Sequence, residues 1–91
     1  MAWVKVLSWR GIPTSVRARD EAGKRVSRQM PDWFGKEVDR VARREGLTGE
    51  DAYLEQLAWS DETEEPGDAD AAAAAVVARL AADWGHPLET P

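Results

Sequence analysis

The sequence predicts an α+β domain: a three-stranded antiparallel β-sheet (β-β-β) followed by three α-helices packed on one face. Two observations carry this. Residues 3–30 hold three segments rich in β-branched and aromatic types, broken by glycine-bearing turns. Residues 31–84 hold three segments whose apolar residues recur at helical spacing. Strands first and helices afterwards is the α+β order. Ninety-one residues suffice for one domain, expected to span 1–91.

In the first strand, residues 3–9, Trp3, Leu7 and Trp9 alternate with Val4 and Val6. Both faces are partly apolar, so this strand is expected to be covered on both sides or to lie centrally. Arg10-Gly11-Ile12-Pro13-Thr14 reads as a turn. Residues 15–20 place Val16 and Ala18 inward and Ser15, Arg17 and Arg19 outward. Glu21-Ala22-Gly23 suits a short hairpin loop with Gly23 at positive φ. The third strand, residues 24–30, points Val26 and Met30 inward. Arg28 shares their face, which implies a bulge or an arginine reaching past the sheet edge to a carboxylate.

Pro31 and Asp32 suit the start of a helix over 31–44, with Phe34, Val38, Val41 and Ala42 on its apolar side. Gly46 is placed to cap it, with Leu47 folding back. Thr48 is expected to cap a second helix over 49–59, with Tyr53, Leu54, Leu57 and Ala58 on one stripe. Residues 60–67 read as an acidic, solvated loop. Asp68 or Asp70 caps a third helix over 69–84, which packs through Val76, Val77, Leu80 and Trp84 and ends at Gly85. Residues 86–91 form a tail.

Composition narrows the function classes. The absence of cysteine excludes disulfides, thiolate zinc sites and thiol chemistry. No signal peptide or membrane span is visible, so a cytoplasmic location is expected. His86 stands alone, which argues against a histidine metal site and a nucleophile–base pair. The carboxylates between Asp61 and Asp70 lack the spacing of a calcium loop. No phosphate-cradling glycine run is present. Neither a cofactor nor catalysis is expected. Gly35 is the one glycine inside a helix, and either a close backbone contact or retained flexibility would account for it.

The net charge of −5 hides a division. Residues 1–44 carry eleven Lys/Arg against five Asp/Glu, whereas residues 45–91 carry one Arg against twelve Asp/Glu. Arg17, Arg19 and Arg25 are expected on one strand face, with Lys24 and Arg28 nearby. Arg40, Arg43 and Arg44 cover the polar side of the first helix. Such a face suits an acidic partner: the chain's own 60–70 segment, a second copy head to tail, or another protein. Basic sheets with aromatics also bind single-stranded nucleic acid, although an isoelectric point near 4.8 argues against it.

Three segments, Val4 to Pro13, Arg28 to Phe34 and Asp51 to Glu55, resemble a small bacterial domain family called virulence factor, also found within the longer conserved virulence factor C. The likeness covers about residues 3–59 and is loose over the final helix. It implies no catalytic residue and no ligand. It suggests an accessory role, in some relatives near one-carbon and corrinoid metabolism. The matched Trp9, Arg10, Ile12, Pro13, Arg28, Gln29 and Pro31 are expected to gather at one sheet end. They serve there either as turn and core or as a binding edge contacted by Arg10 and Arg28. The candidate binding set is therefore Trp9, Arg10, Arg17, Arg19, Arg25 and Arg28, in a non-enzymatic interaction module.

Overall fold

The computed structural model describes residues 1–47 and 49–84. Thr48, Gly85 and the tail with His86 and Pro87 lie outside the described residues, so the expectations placed on them are not met or refuted here.

Strands β1 (Ala2–Trp9), β2 (Ile12–Asp20) and β3 (Arg25–Gln29) form the expected meander. The first turn has only two residues, Arg10 at φ 49° and Gly11 at φ 84°. Two positive φ values give a hairpin turn whose twist matches its strands, at a steric cost to Arg10. The second turn ends on Gly23 at φ 87°, as expected. There the Asp20 carboxylate accepts from the backbone N–H groups of Ala22 and Lys24. The β2–β3 register is unbroken across Arg28, so no bulge accommodates that residue.

Helix α1 (Asp32–Glu45) buries Phe34, Val38 and Ala42. Gly46 caps it in the left-handed region, and the Leu47 N–H donates to the Ala42 carbonyl at 2.7 Å. Both features follow the sequence expectation.

The next segment departs from expectation. Helix α2 (Glu50–Leu54) is a single short piece. It is followed by strands β4 (Leu57–Trp59) and β5 (Thr63–Glu65), both antiparallel to β1. The sheet therefore has five strands, not three, in the order β3-β2-β1-β4 with β5 also on β1. The physical reason lies in β1. With β2 on one side only, its other row of N–H and C=O groups would lack partners. Residues 56–65 satisfy them: Arg10 N donates to Gln56 O, Ser60 N to Val6 O, and Val6 N to Ser60 Oγ. The expectation that β1 lies centrally is met.

Helix α3 (Ala69–Asp83) closes the fold, with the Asp68 side chain accepting from Ala71 N at 2.8 Å. Its buried residues are Ala69, Ala72, Ala73, Val76 and Ala81. The alanines are thus the packing stripe itself, and Val77 and Leu80 sit at its margin. Small side chains let the helix axis approach the sheet closely. The core joins this stripe to Val4, Val16 and Ala18 of the sheet and to Phe34 and Val38 of α1. Trp33, Phe34 and Trp84 make edge-on ring contacts that tie α1 to α3. The molecule is 16 Å in its thinnest direction, which leaves room for one sheet and one helical layer. Among the described residues, no helix is long and apolar enough to cross a membrane.

Candidate functional site: the uncovered sheet face

Alternation sends one set of strand side chains to the helices and the other to a side that no described helix covers, called the bare side. Cross-strand pairing arranges the bare set in rows. Glu64, Trp3, Arg19 and Arg25 form one row; Lys5, Arg17 and Ser27 form the next; Trp59, Leu7, Ser15 and Gln29 form the third. Four cations therefore share a face with two tryptophans. The Arg19 guanidinium lies 4.6 Å from the centre of the Trp3 ring, and that of Arg17 lies 4.9 Å from Trp59. Trp59 is 44% exposed, so its ring is open to a partner. Trp3, Lys5, Arg17, Arg19, Arg25 and Glu62 line a shallow hollow of about 460 Å³.

Part of this charge is neutralised from within. Arg19 donates through Nε and Nη2 to both Glu62 carboxylate oxygens, at 3.1 and 3.0 Å. These bonds hold the Glu62 carboxyl below its ordinary pKa and raise that of Arg19. Lys24 pairs with Asp70, and hydrogen bonding followed by the facing charge raises its pKa. Arg79 pairs with Glu65. Four of the six carboxylates between Asp61 and Asp70 are thus committed, Glu62, Glu65 and Asp70 to ion pairs and Asp68 to a helix cap, whereas Asp61 and Glu64 are exposed and make no ion pair among the described residues. Of the three partners the sequence suggests, the chain's own 60–70 segment is the one that meets Arg19 and Lys24. Arg17, Arg25 and Arg28 make no ion pair among the described residues.

The six sequence candidates divide. Arg17, Arg19 and Arg25 come together on the bare face. Trp9 is fully buried: its indole donates to Tyr53 O at 2.9 Å and its ring stacks on Tyr53 at 5.5 Å. Arg10 sits in the first turn, paired with Glu45 of α1. Arg28, opposite Val16, is on the helix-covered side of edge strand β3. The segment Trp9–Pro13 is therefore the two-residue turn Arg10–Gly11 between buried strand ends, with Ile12 and Pro13 also inside. Lys5, Trp3 and Trp59 were absent from the candidate set. Trp59 falls in the helix that the sequence predicts over 49–59, and only the pairing of β4 with β1, which sets it opposite Leu7, brings it to this face.

This fold and face define a one-sided α+β module carrying cations and indoles on an open sheet. The chain belongs to the Virulence factor family, whose profile matches residues 7–87. The match takes in α3, beyond the stretch that the resemblance covered well. No curated protein and no solved structure matches the chain.

Proposed function

We propose that the chain is a non-enzymatic interaction module that takes an acidic segment of a partner protein on its bare sheet face. Lys5, Arg17, Arg19 and Arg25 supply the charge, and Trp3 and Trp59 supply flat apolar contact. One observation supports this reading above others: Arg19 already grips a carboxylate bidentately, in the geometry that a partner's Asp or Glu would adopt. Glu62 then serves as an internal stand-in that a multivalent acidic segment displaces.

The test is a titration with a short Glu/Asp-rich peptide, followed by the indole N–H signals of the tryptophans in NMR. Trp3 and Trp59 should shift with peptide and buried Trp9 should not. Reversal of Arg17, Arg19 and Arg25 to Glu should abolish the shifts. A flat titration at millimolar peptide refutes the reading.

Single-stranded nucleic acid is the second reading, favoured by the same two rings interleaved with cations. An oligothymidine titration separates the two, because binding to phosphates must weaken steeply as salt rises.

A further inference from the structure

The sheet has one edge at β3 and the other at β4 and β5, and these edges match each other. On β3, Asp20 N donates to Lys24 O at 3.1 Å and Met30 N donates to Thr14 O at 3.0 Å. The even-numbered residues of β3 thus turn their backbone groups toward β2, and Arg25, Ser27 and Gln29 turn theirs outward. On the far edge, Ser60 N donates to Val6 O, and Thr63 Oγ1 to Val4 O. The even-numbered residues of β1 therefore face β4 and β5. Thr63 and Glu65, paired with Val4 and Ala2, point inward, and Glu64 points its N–H and C=O outward.

Direction agrees as well. Every pairing in the sheet is antiparallel, so β3 runs with β1 and β5 runs against both. A second copy displaced along the sheet would bring its β5 antiparallel to β3. Side chains agree too. Glu64, Trp3, Arg19 and Arg25 form a single row on the bare face, so continuing that row sets Glu64 of one copy opposite Arg25 of the next.

We propose that β3 of one copy pairs with β5 of a second copy, head to tail, with Arg25 opposite Glu64 and both bare faces on the same side. This goes beyond the proposed function, because it uses the sheet's edges and takes only Arg25 from the face, leaving Lys5, Arg17, Arg19, Trp3 and Trp59 open. The contact is heterologous, so it propagates instead of closing into a two-fold dimer. Charged residues on an edge normally guard against unwanted strand addition. Here the guards differ in sign: β3 against β3 sets arginines together and β5 against β5 sets glutamates together, so only the mixed pairing joins opposite charges.

Sedimentation of the whole chain from micromolar to millimolar concentration tests this. Salt is set at about 0.15 M, where a Debye length of about 8 Å screens the net negative charge but spares a contact pair. Average mass should rise with concentration. Arg25→Glu should weaken association several-fold, and Arg25→Glu with Glu64→Arg should restore it. Ser27→Pro provides an independent arm. It removes an outward N–H that no bond among the described residues uses, keeps every charge, and should abolish association. Peptide shifts at Trp3 and Trp59 should survive in that variant, which separates failure of the edge from failure of the face. A chain that stays monomeric throughout, or that associates equally in Arg25→Glu and in a folded Ser27→Pro variant, overturns the proposal.

Discussion

The Asp20 carboxylate reaches across the fold to the first turn of the last helix, where its Oδ2 accepts from the Ala69 N–H at 3.0 Å. Its Oδ1 accepts from Ala22 and Lys24 within the hairpin loop. One side chain thereby shapes the β2–β3 turn and docks α3 beside it. Lys24 of the same turn pairs with Asp70 of the same helix, so two contacts hold this corner.

The bond from Ala69, followed by those from Lys24 and Ala22, lowers the Asp20 pKa below its ordinary value. A depressed folded pKa adds stability above the unfolded value, near 3.9, and loses it as pH falls through the folded one. Asp20→Asn should therefore melt at a lower temperature than wild type at neutral pH. The gap should stay constant down to about pH 5 and narrow as Asp20 of the wild type becomes protonated in more acidic solution. Thermal melts of both chains across the acid range check this.

A Cβ built at Gly35 meets nothing within 4 Å. Among the described residues the close backbone contact that the sequence allows is absent, so Gly35 is only a weak point in α1. Gly35→Ala should stabilise the chain by about 1 kcal/mol, read as a shift in the urea midpoint at unchanged slope. An unchanged or lower midpoint would contradict this account.

Trp9 and Trp59 should separate stability from binding. Trp9→Ala removes a fully buried ring, its stacking on Tyr53 and a hydrogen bond, and should cost about 3–5 kcal/mol or prevent folding. Trp59→Ala, at an exposed ring, should cost less than about 1 kcal/mol and weaken capture of the acidic peptide. Urea unfolding and the NMR titration, run on both variants, check the contrast.

The alanine helix offers a positional test. Ala73 is fully buried against the sheet and Ala74 is exposed. Ala73→Leu should destabilise by about 1–3 kcal/mol through overpacking, whereas Ala74→Leu should be nearly neutral. Equal effects at the two positions would mean that the stripe is not packed as described.

Local signals were legible in the sequence where neighbouring residues decide the outcome. Gly23 and Gly46 need positive φ, and both were placed by that need. The 15–20 alternation correctly put Arg17 and Arg19 opposite Val16 and Ala18. What was missed depends on distant pairing. Residues 57–65 have no strong strand pattern of their own, and Glu64 and Glu65 are poor strand formers by composition. They become strands because β1 leaves a row of backbone groups to be paired. The two apolar sides of β1 contained the clue, since a central strand needs a second neighbour that the meander did not supply. The candidate face was half legible for the same reason: Arg17, Arg19 and Arg25 followed from alternation, but Trp59 and the Glu62 clamp required the extra strands. The stripe of Ala69, Ala72 and Ala73 is hard to read from the sequence because an alanine run signals helix propensity equally at every position, buried or exposed.

The single helical layer has a wider consequence. Along β2, Val16 and Ala18 answer to the interior, while Arg17 and Arg19 between them owe it nothing. Substitutions at Arg17 and Arg19 can alter the outward surface without changing the buried side chains beside them. One interior is therefore compatible with many outward surfaces.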